Sequence, residues 1–89
     1  MILGRVIKTI WATQKESSLS GHRLVVVSPV TKNGLIGDEI LVAVDRLGAG
    51  SGDLVLVVQG DAALRYFKGE VPIDAAVVAL VDLSQGEDA

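Results

Sequence analysis

The sequence contains no cysteine, which removes disulfides, thiolate nucleophiles and Cys-ligated zinc in one step. Stability must then come from packing and assembly. There is one histidine, and the aromatic residues are only Trp11, Tyr66 and Phe67. So few rings give a base-stacking groove little to be built from. One histidine with scattered carboxylates shows no recognisable metal-ligand spacing. Basic residues are outnumbered eight to eleven, for a net charge of −3, the wrong sign for an unaided phosphate-binding surface. Long apolar runs are missing too, because Arg5, Lys8, Glu39, Asp45 and Asp53 interrupt every candidate membrane helix. The first residues lack the basic, apolar and small-residue regions of a signal peptide. These absences lead to the expectation of a soluble cytoplasmic protein with no cofactor, no metal, no nucleic acid and no membrane among its partners.

What the chain does have is aliphatic surface. Hydrophobic residues make up 49% of the 89 positions, supplied almost wholly by Val, Leu, Ile and Ala. A chain this short builds one core and therefore one domain, here residues 1–89. Such a domain buries roughly 60–65% of the surface its unfolded chain exposes, so part of the aliphatic excess stays outside in a monomer. Burial between subunits is the natural remedy.

Along the chain, Ile2 to Ile10 is rich in β-branched residues and reads as a strand, followed by a polar loop from Gln14 to Gly21. Leu24 to Ser28 is a short buried strand stopped by Pro29, and Thr31-Lys32-Asn33-Gly34 is a turn in which Asn-Gly tolerates positive φ. Ile40 to Val44 is the third strand and Leu54 to Val58 the fourth. Asp61 is placed to cap a short helix from Ala62 to about Phe67, with Gly69 suited to its left-handed end. Pro72 precedes the last strand, Ile73 to Val81, and the acidic tail Glu87-Asp88-Ala89 is expected to fray. The pattern predicts an all-β fold: a small five-stranded barrel, similar to an oligonucleotide-binding (OB) fold, with one short helix before the last strand.

Candidate chemistry is sparse. Ser20 and His22 invite a hydrolase reading, but no nucleophile-elbow pattern surrounds them. A loop histidine beside a turn glycine explains His22 better. Gly48-Ala49-Gly50-Ser51-Gly52 carries the first half of a dinucleotide fingerprint, yet Asp53 stands at the third glycine and a strand follows instead of a helix. Without a helix N-terminus an anion meets no oriented amides. Glycines at that density fit a bend needing positive φ, or a place where another backbone comes close. We expect the second, with the backbone of a neighbouring subunit, mainly because this segment resembles that of a known ring-forming family, and this makes Gly48, Ala49, Gly50, Ser51 and Gly52 the candidate interface or pore residues. Gly50→Val should then intrude on a contact or force an unfavourable φ.

Gly48-Ala49-Gly50-Ser51-Gly52-Asp53 resembles the GAGxGE signature of the EutN/CcmL family of microcompartment vertex proteins, with Asp53 where Glu is usual. Ile73-Asp74-Ala75-Ala76-Val77-Val78-Ala79-Leu80-Val81-Asp82 resembles the family's final strand, (I/V)DxxVVAIVD. Gly60-Asp61-Ala62-Ala63-Leu64-Arg65 is similar to its short helix, and Thr13-Gln14-Lys15 with Leu19 and Gly21 to its first loop. The resemblance implies a non-catalytic homopentamer that caps the vertices of a polyhedral microcompartment shell in the cytoplasm, among hexameric shell proteins. The alternatives are a ring-forming small-molecule binding or pore module and an OB-fold nucleic-acid-binding domain.

Overall fold

The structure is a computed structural model that describes residues 1–10, 21–31, 33, 37–68 and 73–82. Five strands, β1 (Ile2–Ile10), β2 (Arg23–Pro29), β3 (Leu41–Asp45), β4 (Leu54–Gln59) and β5 (Ala75–Leu80), and one helix, α1 (Asp61–Phe67), follow one another in the order β1-β2-β3-β4-α1-β5. The strands close into a barrel in the spatial order β1-β2-β3-β5-β4, all neighbours antiparallel except β3 and β5. The all-β, five-stranded architecture with its helix before the last strand is as the sequence predicts.

Valine dominates because the barrel is narrow. Val6, Val25, Val27, Val55, Val57 and Val77 fill the interior at 1% exposure or less, where stiff, β-branched side chains suit a pleated wall and a small lumen. A second core lies outside the barrel wall, where α1 lays Ala63 and Phe67 against Leu24, Val44 and Ala76. These two layers explain why β2 is buried on both faces over Leu24–Ser28 rather than alternating. Ser28, on that run, donates its hydroxyl to the carbonyls of Gly37 and Glu39, so the segment leading into β3 covers it.

β1 has to serve two neighbours, β2 and β4, and it bends to do so. The register with β2 slips between Val6 and Lys8, leaving Ile7 as an extra, exposed residue. A bulge of this kind sharpens the twist that barrel closure demands. Gly4 leaves room for the Val27 side chain, since a Cβ there would lie 2.4 Å from Val27 Cγ1.

Element ends differ from the sequence reading in instructive ways. β2 runs on through Pro29, whose missing N–H is tolerated at a strand terminus. β3 is shifted one residue, to end on Asp45, while Ile40 is exposed outside it, and β5 is shorter at both ends than Ile73 to Val81. Asp61 is the first helical residue and caps nothing; Gly60, at φ 64°, is the N-cap without a side-chain bond. The left-handed C-cap is Lys68, at φ 56°. Gly69, Pro72, Trp11, the 14–20 loop, Lys32 and Gly34 of the turn, and the 87–89 tail lie outside the described residues.

Candidate subunit-contact loop

The glycine loop joins β3 to β4 and starts from a charged residue in a place built for aliphatics. Asp45 ends β3 with its side chain wholly buried, directly opposite Arg23 in the β2 register. Its Oδ2 accepts from Arg23 Nη1 at 2.5 Å and from the Ala49 amide at 2.7 Å. Its Oδ1 accepts from the Leu47 amide at 2.9 Å. Both oxygens are thereby occupied by donors that matter to the loop, which is the only condition under which a carboxylate is tolerated at this depth. Arg23 completes the knot: Nη1 also donates to the Ala49 carbonyl, and Nη2 donates to Thr9 Oγ1 at 3.0 Å.

From that anchor the loop is stitched onto β1. Ser51 Oγ donates to the carbonyl of the bulged Ile7 at 2.9 Å. The Gly52 amide donates to the Val6 carbonyl at 2.8 Å and the Val6 amide to the Asp53 carbonyl at 2.9 Å, extending the β1–β4 ladder. Arg5 Nη1 donates to the Gly52 carbonyl at 2.7 Å. Asp53 closes a tight turn by accepting the Gly50 amide on Oδ2 at 2.7 Å while its own amide donates to the Gly50 carbonyl at 3.0 Å.

The five residues singled out in the sequence therefore have different jobs. Ala49 is fully buried in the barrel's own core, so its side chain is committed to the protomer. Gly48 and Gly52, at φ +83° and +90°, are glycine because the turn needs positive φ. Gly50 meets neither condition. Its φ lies outside the left-handed region, and a Cβ on it would approach nothing within the protomer closer than Asp53 Oδ2 at 3.8 Å. The unfavourable φ expected for Gly50→Val is thus absent from Gly50 and belongs to its two neighbours. Ile7 and Leu47, exposed at 38% and 44%, put aliphatic surface on the two segments that the loop ties together.

Sequence reasoning missed Asp45 and Arg23. A charge closing the aliphatic run Leu41–Asp45 was the available signal, but its partner lies 22 residues away and only the strand register reveals it. His22 is half-buried immediately before β2, and Ser20 lies outside the described residues. Among the described residues no three His, Cys, Asp or Glu side chains cluster as metal ligands, and no helix is long and apolar enough to cross a membrane. An open depression beside Pro29, Val30, Thr31, Gly37, Asp38 and Glu39 presents two exposed carboxylates.

A profile of the family described as "Ethanolamine utilisation protein EutN/carboxysome" matches residues 1–82, from β1 through β5. The chain belongs to the EutN/CcmL family. Within it, the chain is 43% identical to the bacterial microcompartment shell vertex protein GrpN of Rhodospirillum rubrum, covering 92% of this chain and 93% of that one. It is 44% identical to the shell vertex protein PduN of Salmonella typhimurium, covering 92% and 96%. The solved structure of GrpN, described as a pentameric microcompartment shell protein, superposes with a TM-score of 0.81 over 92% of this chain and 94% of that one. CcmL of Nostoc sp. PCC 7120 superposes with a TM-score of 0.84 at 38% identity, covering 92% and 89%. Gly48 to Asp53, the segment that resembles the family's GAGxGE signature, is the loop stitched between β3, β1 and β4, and Asp53 is the residue that closes the Gly50 turn.

Proposed function

We propose that this EutN/CcmL chain is a structural, non-catalytic shell protein whose five copies form a ring at the vertices of a bacterial microcompartment within the cytoplasm. The whole chain acts as one shell-forming domain, and its flanking partners are hexameric shell proteins. The observation that carries the reading is the match to vertex proteins over 92% of this chain and 93–96% of theirs, which leaves no room for a separate catalytic unit in the matched region. Fivefold units supply the closure that a flat hexagonal layer lacks.

The ring contact runs through the glycine loop, and Gly50 supports this most directly. It is the loop glycine whose missing side chain the protomer does not require, which suits a position facing a neighbour's backbone close to the ring axis. Light scattering tests the assembly: a ring of 9.3 kDa chains should weigh about 46 kDa, because a head-to-tail contact must close to avoid filaments. A single-chain mass at micromolar concentration overturns the proposal. Co-expression with hexameric shell proteins should yield closed polyhedra, and omission of this chain should leave them open.

A further inference from the structure

We infer that the Arg23–Asp45 pair is the positioning element that sets the glycine loop in its assembly-competent shape before any neighbour arrives; the inference rests on the ring reading above. The amides and carbonyls of Ala49, Gly50 and Gly52 are already occupied inside one protomer. Asp45 accepts the Leu47 and Ala49 amides, Arg23 takes the Ala49 carbonyl, and Asp53 takes the Gly50 amide. Val6, Ile7 and Arg5 of β1 engage Gly52 and Ser51. A segment rich in glycine loses more conformational freedom on ordering than any other. If a neighbour had to order it, that loss would be subtracted from the affinity of every contact in the ring. Here it is met when the barrel folds.

The pair is more than a packing unit. A barrel end of this size could be closed by two aliphatic side chains, and replacing a buried ion pair by well-packed hydrophobic residues is often neutral or stabilising. Aliphatic side chains, however, cannot accept the Leu47 and Ala49 amides. Asp45 thus does something for the loop that it does not do for the barrel. Thr9 accepts from the other guanidinium nitrogen of Arg23 and so holds it in place.

The doubly substituted chain Arg23→Met with Asp45→Leu separates the two roles, with Asp45→Asn as the single variant that keeps the size but turns one acceptor into a donor. Each is compared with the wild-type chain by far-UV circular dichroism, by light scattering over a dilution series, and by amide hydrogen exchange at Leu47 and Ala49. The expected result for the double variant is a retained strand spectrum, faster exchange at both amides, and a ring that dissociates at a concentration about tenfold or more higher. Asp45→Asn should shift in the same direction. A double variant that assembles at the wild-type concentration, or that dissociates with both amides as protected as in the wild type, overturns the inference. A wild-type chain that never exceeds the mass of one subunit instead overturns the ring reading, and this inference falls with it.

Discussion

A Cβ placed on Gly4 would lie 2.4 Å from Val27 Cγ1 and 3.1 Å from the Ser28 carbonyl oxygen. Val27 is itself fully buried and has nowhere to retreat, so Gly4→Ala should destabilise the barrel by about 1–3 kcal/mol in chemical denaturation. Adding Val27→Ala to Gly4→Ala should recover part of that loss, since the contact at 2.4 Å is with a side chain. Two losses that simply add would show that the crowding is with the Ser28 backbone instead. Composition shows that glycine is abundant; it does not show which glycine lies diagonally across a strand pair from a buried valine, as Gly4 does from Val27. That information sits in the register, and the register depends on the bulge at Ile7.

Helix α1 is only seven residues long, below the length at which a helix stands alone in water. Tertiary contacts hold it: Phe67 is buried beneath it, and the Arg46 guanidinium lies 4.8 Å from the Phe67 ring and 5.5 Å from the Tyr66 ring. Phe67→Ala should therefore cost about 3–5 kcal/mol and loosen the outer core. Its end offers the opposite opportunity, because Lys68 adopts φ 56°, a conformation that favours glycine. Lys68→Gly should raise the melting temperature, with a net gain of up to about 1 kcal/mol once the added freedom of the unfolded chain is subtracted. At this scale the sequence is readable where one residue type repeats. Five aliphatic runs and a helix ahead of the last strand are legible, within one or two residues at most ends. The caps are less legible, because Asp61 and Gly69 have the right chemistry for caps while Gly60 and Lys68 hold the angles. The salt bridge beneath the loop is not legible, since Arg23 and Asp45 meet only after β2 and β3 have found their register.

For the assembled molecule, the glycine loop supports two substitutions with opposite signatures. Gly52→Ala strains a φ of +90° and should lower protomer stability by about 1–2 kcal/mol, whether or not a ring is present. A Cβ on Gly50 meets nothing in the protomer closer than 3.8 Å, so the penalty of Gly50→Val should appear in the oligomer mass and leave the circular dichroism of the barrel unchanged. Ser51→Ala removes one exposed hydroxyl bond to Ile7 and should assemble normally. A Gly50→Val chain with the wild-type mass and melting temperature would move the interface away from the loop. The order of the barrel strands has a consequence in time. β5, the last of the five described strands along the chain, is inserted between β3 and β4, so without it one edge of each of those two strands is left unpaired. Unpaired edges of this kind are the surfaces on which nascent chains join wrongly. Pairings between distant segments also form slowly, in about milliseconds to seconds for all-β folds of this type. Closure, and with it a protomer fit to meet its neighbours, therefore waits until β5 has taken its place between β3 and β4.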